Sequence, residues 1–173
     1  MFIRTFVAGL VMLSSLLALP AHAMAPRVEP APKSTQSGVY KIPIDRNVSL
    51  DEAAESMRLR ANALNLKLVS ELPLSEQVEA VTGQPQRVIT IFQFCDAVTA
   101  KELIDMNMDF AIYMPCRIAL IEAADGQGWL VMTDIDVDMV AAEKKLQERL
   151  TTRIKAVREG LIEIMQAGAK GAL

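Results

Sequence analysis

The feature that most constrains the fold is the alternation of strand-like and helix-like segments along the chain. Short runs rich in β-branched and aromatic residues predict strands, and residues 88–94 are the clearest example. Between these runs, apolar residues recur every three or four positions, as in amphipathic helices. The order predicts an α/β fold, namely a single compact sandwich in which a mixed β-sheet of about five strands is backed by helices.

Local motifs mark where several of these elements begin and end. Ser49 and Glu52 form a capping-box pattern ahead of a helix, and Asp96 is placed to cap the helix that follows residues 88–94. The segment 125–128 contains two glycines between two strands and predicts a hairpin. Residues 137–173 are expected to contain a long amphipathic helix whose apolar positions are Ala142, Leu146, Leu150, Ile154, Val157, Leu161 and Ile164. This helix is interpreted as cover for the domain's own core, with pairing to a second subunit as the alternative.

The N-terminal segment 1–23 has the pattern of a secretory signal peptide. Arg4 supplies the positive region, residues 6–19 are mostly apolar, and Ala21 and Ala23 are the small residues of a cleavage box. Cleavage is therefore expected after Ala23, with a periplasmic or secreted location. The rival interpretation is a membrane anchor, but the apolar run falls short of the ~20 residues that a span needs.

The chain after this cleavage has 150 of the 173 residues and a net charge of −4, with 17 basic and 21 acidic residues. Residues 24–37 are rich in Pro, Ser and Ala and are interpreted as a flexible leader. An acidic domain of this kind is a poor candidate for nucleic-acid binding, which needs clustered Lys and Arg. No second long apolar stretch predicts a membrane span after cleavage.

The only histidine, His22, lies in the segment that is expected to be removed. Serine triads and cysteine–histidine pairs both need an imidazole base, so these nucleophilic mechanisms are excluded for the mature chain. No carboxylate pair is placed convincingly either. We therefore assign no catalytic residue and favour a non-enzymatic protein.

Cys95 and Cys116 are the two cysteines of the chain. In an oxidising compartment an even count suggests a disulfide. A right-handed crossover between their strands would make the strands parallel and put the cysteines at opposite ends of the sheet, which argues against that bond. Two small buried apolar side chains are the other interpretation. Cys95 also precedes a helix N-terminus, where the helix dipole favours a thiolate.

Sulfur is concentrated between residues 106 and 116. Met106, Met108, Met114 and Cys116 are candidate ligands for Cu(I), which soft thioether and thiolate groups select. Packing of these methionines as gap-fillers is the alternative. Haem ligation by the same sulfurs is a weaker hypothesis than copper binding, because there is no CxxCH motif.

Two runs of the sequence resemble the domain-of-unknown-function 302 family. The first is Phe92-Gln93-Phe94-Cys95-Asp96-Ala97. The second is Met114-Pro115-Cys116-Arg117, which is followed by a predicted strand. The resemblance covers roughly residues 38–136, and the two cysteines resemble those of a cysteine-bearing branch of that family. It implies a compact α/β domain that is often dimeric, so a homodimer is expected, and it implies no established activity. The long C-terminal helix lies outside the part that resembles the family.

These observations lead to two functional hypotheses. The first is an exported protein that binds a small ligand or a partner, through Cys95, Asp96, Met114, Cys116 and Arg117, with Arg117 suited to an anionic group. The second is a thiol-redox, copper-handling or haem-handling protein that uses Cys95, Cys116 and the nearby methionines.

Overall fold

A computed structural model describes residues 37–172, and the predicted cleavage site after Ala23 lies outside that range. The strands are β1 (Ser37–Pro43), β2 (Lys67–Pro73), β3 (Ile89–Cys95), β4 (Cys116–Glu122) and β5 (Gly128–Ile135). The α-helices are α1 (Leu50–Ala63), α2 (Leu74–Thr82), α3 (Ala97–Met106), α4 (Val137–Lys144) and α5 (Glu148–Lys170), and a 3-10 helix spans Met108–Tyr113. The predicted α/β class and the helix-backed sheet of five strands are confirmed.

Local capping explains why several elements begin and end where they do. The Ser49 hydroxyl accepts a bond from the backbone N–H of Glu52, and the Glu52 carboxylate accepts one from the N–H of Ser49, which completes the capping box of α1. The Asp96 carboxylate accepts from the first amides of α3. Gly126 has a φ of 79° in the hairpin turn, a conformation that glycine adopts without strain.

The strand order is β1-β5-β4-β3-β2, and every neighbouring pair is antiparallel. The expectation of a mixed sheet, with β3 and β4 parallel, is therefore wrong. After α3 the chain does not cross back to the start of β3. Instead the 3-10 helix packs against α3 and turns the chain, so that β4 begins at the end of the sheet where β3 stopped.

The main core lies between one face of the sheet and the helices α1 and α5. Phe92 and Phe94 of β3, Ile118 of β4 and Leu130 of β5 are fully buried. They pack with residues of both helices, which include Met57, Ile164 and Met165. At Gly168 the two helices come so close that a Cβ atom would lie 2.6 Å from Cγ of Met57. Glycine at this position therefore allows α1 and α5 to pack closely together.

A second cluster of buried side chains lies beneath the short elements. It contains Leu103 of α3, Phe110 of the 3-10 helix, Val140 of α4 and Leu150 of α5, with Tyr113, Met114, Ile135 and Ile154 packed around them. The second cluster therefore joins four separate elements instead of two long helices and a sheet.

The C-terminal region 137–173 is interrupted, although one continuous helix was expected. α4 ends at Lys145, which has a left-handed φ of 53°, and α5 starts three residues later. The long helix that the apolar spacing predicted is present as α5. Within residues 37–172, no helix is both long and apolar enough to cross a membrane.

Candidate functional site

The two cysteines lie at the same end of the sheet. Phe94 of β3 is the direct partner of Cys116 in β4, so Cys95 is only one residue beyond that pair. The prediction that they lie at opposite ends is wrong, because it depended on a parallel crossover. Both are free thiols in the structure.

Four of the five predicted ligand-binding residues meet around one small space, which we call the thiol cavity. Its volume is about 100 Å³, and Cys95, Asp96, Met114 and Cys116 all line it. The rest of its wall is mostly apolar and includes Leu103 and Phe110 of the second cluster. The structure thus brings together residues from the end of β3, the start of α3 and the segment before β4.

The fifth predicted residue, Arg117, lines a neighbouring space of about 150 Å³, which we call the arginine cavity. The two cavities share a wall made of six residues: Tyr113, Cys116, Ile135, Val137, Ile154 and Val157. Five of these six have apolar or aromatic side chains, and the sixth is a thiol. The two cavities therefore form adjoining parts of one mainly apolar site.

Asp96 has a structural role as the cap of α3. Its carboxylate accepts bonds from the amides of Val98 and Thr99 and from the Thr99 hydroxyl, and Arg153 lies 3.8 Å away. Burial acts to raise the pKa of Asp96, but these hydrogen bonds and the charge of Arg153 outweigh it and lower the pKa below its usual value. Asp96 is therefore ionised and held as the cap of α3.

The thiols are protonated at neutral pH. Burial raises the pKa of Cys116 to about 11, with a smaller contribution from Cys95. Burial, and then the charge of Asp96, also raises the pKa of Cys95. The expectation that the α3 dipole favours a thiolate at Cys95 is therefore wrong, because loss of water and a neighbouring carboxylate outweigh it.

Arg117 is exposed and has no ion pair with any residue in the range 37–172. The other arginine on the same cavity, Arg158, is already paired with Asp134 at 2.7 Å. Arg117 is therefore the cation of this site that is available to an anionic group.

The predicted metal set is only partly assembled. Met114 and Cys116 share the thiol cavity, but Met106 is 40% exposed, Met108 is 78% exposed, and neither lines either cavity. Among the described residues, no group of three or more His, Cys, Asp or Glu is arranged to hold a metal. The thiol cavity, at about 100 Å³, is smaller than the roughly 300–1,000 Å³ typical of pockets for drug-sized ligands, and no histidine lies within residues 37–172 to ligate a haem.

A larger groove of about 510 Å³ runs along β5, α4 and α5 and adjoins the two cavities, with which it shares Ile135 and Val137. Both of its basic side chains are already paired, Lys155 with Asp138 at 2.6 Å and Arg158 with Asp134 at 2.7 Å, and Asp136 and Glu159 make the groove acidic. The groove is open and polar, and no cysteine lines it. Size alone therefore does not make it the better candidate.

Sequence reasoning missed the far wall of the site. Val137, Ile154 and Val157 come from α4 and α5, more than 20 residues after Cys116. The apolar spacing of α5 had marked Ile154 and Val157 as core positions, but nothing in it showed which part of the core they face.

The comparisons with known proteins agree with the fold. The family described as "Domain of unknown function DUF302" matches residues 40–168. A solved structure, that of an uncharacterised conserved DUF302 protein from Bacillus stearothermophilus, is similar with a TM-score of 0.59 and 12% identity. The similarity covers 75% of this chain and 96% of that one. No curated protein matches the chain. The family match extends through α4 and most of α5, so the expectation that the C-terminal helix lies outside the family is wrong.

Proposed function

The chain belongs to the DUF302 family, whose description assigns no activity. From the chain's own residues, we propose that it is a non-enzymatic protein that binds a small organic anion with an apolar body. The observation that carries this proposal is the shared apolar wall between the thiol and arginine cavities, with Arg117 beside it. Concave apolar surface with few polar groups is typical of small-molecule sites.

The size of the cavities limits the ligand. Spaces of about 100 and 150 Å³ suit an unbranched chain of a few carbons better than a fused ring system. Burial of such a chain is favourable by about 0.8 kcal/mol for each CH₂ group. The ligand's apolar body is therefore expected to lie along the shared wall.

The charge of the ligand follows from Arg117. Its guanidinium has no ion pair among the described residues, so a carboxylate, sulfonate or phosphate can bind it without displacing a protein partner. Arg158 is less available, because Asp134 already holds it.

The chemistry of the wall supports binding over catalysis. Both thiols hold their protons at neutral pH, and the Asp96 carboxylate is used in capping α3. A general base must be free to accept a proton from the substrate, and neither the two thiols nor the Asp96 carboxylate meets that requirement.

Calorimetric titration with hexanoate and 1-hexanol tests the proposal. Hexanoate should bind more tightly than hexanol, and Arg117→Gln should weaken hexanoate binding about 10- to 100-fold, as expected for one charge-assisted hydrogen bond. Hexanol binding should stay the same in that variant. Arg46→Gln is the matched control, because Arg46 is exposed at the opposite end of the sheet. Equal hexanoate affinity in all three proteins would contradict the proposal.

We propose in addition that the protein is a homodimer that packs through the uncovered face of its sheet. Two rows of apolar side chains cross the three central strands on this face: Ile91, Ala119 and Val131, and Ile89, Ile121 and Trp129. All six are half-buried, whereas an antiparallel face in contact with water is usually polar. Contiguous apolar surface of this kind is typical of subunit contacts.

Light scattering after size exclusion tests the dimer. Val131→Glu should convert the protein to a monomer, because it places a charge at the centre of the contact. Val81→Glu, on α2 and already 87% exposed, should leave a dimer. A wild-type monomer at micromolar concentration would contradict this arrangement.

Export through the N-terminal segment completes the proposal. The pattern in residues 1–23 supports it. N-terminal sequencing of the protein from the periplasmic fraction should begin at Met24, and a cytoplasmic protein that begins at Met1 would contradict it.

A further inference from the structure

We propose that Cys95, Cys116 and Met114 form a three-sulfur site for a single Cu(I) ion in the thiol cavity. The site goes beyond the binding of an organic anion, because it takes a metal ion and does not require Arg117. It also narrows the sulfur set that the sequence suggested, because Cys95, Cys116 and Met114 line the cavity whereas the exposed Met106 and Met108 do not.

The placement of the three residues carries the proposal. Antiparallel pairing of Phe94 with Cys116 puts the end of β3 beside the start of β4, and Met114 is two residues before Cys116. All three side chains line the same cavity of about 100 Å³.

The donor set selects the metal. Thiolate and thioether sulfur are soft ligands and favour Cu(I), whereas zinc sites usually have four ligands and magnesium or calcium sites need oxygen. Asp96 is the one carboxylate on the cavity, and its oxygens already accept bonds from α3. Within residues 37–172 there is no histidine to compete as a ligand.

The rest of the cavity suits a monovalent soft ion. Apolar side chains such as Leu103, Phe110 and Val140 keep water from the sulfurs, and the small volume admits one ion. On binding, each thiol releases its proton to solvent and forms one Cu–S bond, and Met114 donates a sulfur lone pair. Copper enters and stays as Cu(I), so no oxidant or reductant is consumed.

Anaerobic titration of Cu(I) against the chelator bicinchoninate tests this site, and X-ray absorption counts the sulfurs. The reduced wild-type chain should take one copper from the chelator and show three sulfur ligands. Cys95→Ser and Cys116→Ser should each lose the 1:1 complex. Met114→Leu, which keeps the size and apolarity of the side chain, should still bind one copper but with two sulfurs and lower affinity.

Met106→Leu and Met108→Leu are the controls, since both side chains are exposed and outside the cavity. They should bind copper as the wild type does. The proposal is overturned if either control weakens binding as much as Met114→Leu, or if folded Cys116→Ser keeps the wild-type affinity. A Cys95–Cys116 disulfide in the isolated protein, seen as a mass lower by two hydrogens, would also overturn it, because no thiol would remain to bind the ion.

Discussion

The main core and the second cluster are built from the same kinds of apolar residues but in opposite ways. In the main core, two long helices cover one face of the sheet, and side chains such as Phe92, Ile118 and Leu130 are fully buried. In the second cluster, four elements meet around Leu103 and Phe110 and leave the thiol cavity beside them. The arginine cavity lies between this cluster and the main core, because Met132 and Leu161 of the main core also line it.

This difference separates stability from function. Side chains at the centre of the main core, such as Leu130, are closely packed and line neither cavity, and deletion of atoms there creates a cavity that closes only in part. The region around the second cluster already contains space, and the thiols and Arg117 border that space. We therefore expect variants of the main core to affect mainly the free energy of unfolding, and variants around the cavities to affect mainly binding.

The largest effect is expected in the main core. Leu130→Ala should lower the free energy of unfolding by about 4–5 kcal/mol, the upper part of the range for buried leucines, because Leu130 is fully buried between sheet and helices. Urea unfolding followed by circular dichroism measures this loss. A loss below about 2 kcal/mol would mean that the main core is not the closely packed region described above.

The next effect depends on pH and arises at the thiol cavity. The folded pKa of Cys116 is raised to about 11 from an ordinary value of 9.0, so its contribution is present below pH 9 and is lost as the pH rises from 9 to 11. The wild type should lose as much as about 2–3 kcal/mol of unfolding free energy in that range relative to Cys116→Ala. Parallel pH curves for the two proteins would show that Cys116 is not buried in the apolar wall.

Leu103→Ala is the matched partner of Leu130→Ala in the second cluster. Leu103 is 5% exposed and borders existing space, so its truncation should cost about 2 kcal/mol, the lower end of the range. The same urea experiment applies. A cost equal to that of Leu130→Ala would remove the contrast between the two regions.

The smallest effect on stability is expected at Arg117. Arg117 is exposed and has no ion pair with the described residues, so Arg117→Gln should change the unfolding free energy by less than about 0.5 kcal/mol. A thermal melt of the ligand-free protein measures this. A large destabilisation would show that Arg117 has a structural role and would weaken its assignment as the anion-binding residue.

Local sequence signals predicted the elements well, because caps and turns depend on neighbouring residues. The capping box at Ser49, the cap at Asp96 and the turn at Gly126 are all present. The direction of β4 relative to β3 depends instead on the path of the whole connection between the two strands. The 3-10 helix at Met108–Tyr113 reverses the chain there, and its sequence has no strong period that would have shown this.

The residues on the near side of the candidate site were predictable, but their arrangement and the far side were not. Cys95 adjoins Asp96, and Met114 is two residues before Cys116, so each pair was predictable from proximity along the chain. The two pairs meet only because β3 and β4 are antiparallel. Ile154 and Val157 reach the cavities only because α5 folds back over the sheet after the break at Lys145. A left-handed lysine has no side-chain pattern that marks it in advance.

The central claim is that ligands bind in the thiol and arginine cavities and not at the centre of the main core. Its most direct test is a hexanoate titration of protein labelled with ¹³C at the methionine methyl groups. Met114 lines the thiol cavity, and Met132 lies at the edge of the main core and lines the arginine cavity. Met57 and Met165 are buried in the main core away from both cavities, and Met108 is exposed. The methyl resonances of Met114 and Met132 should shift together and saturate, and those of Met57, Met165 and Met108 should stay in place. Saturable shifts at Met57 and Met165 without a change at Met114 would contradict the account, as would the absence of any saturable shift.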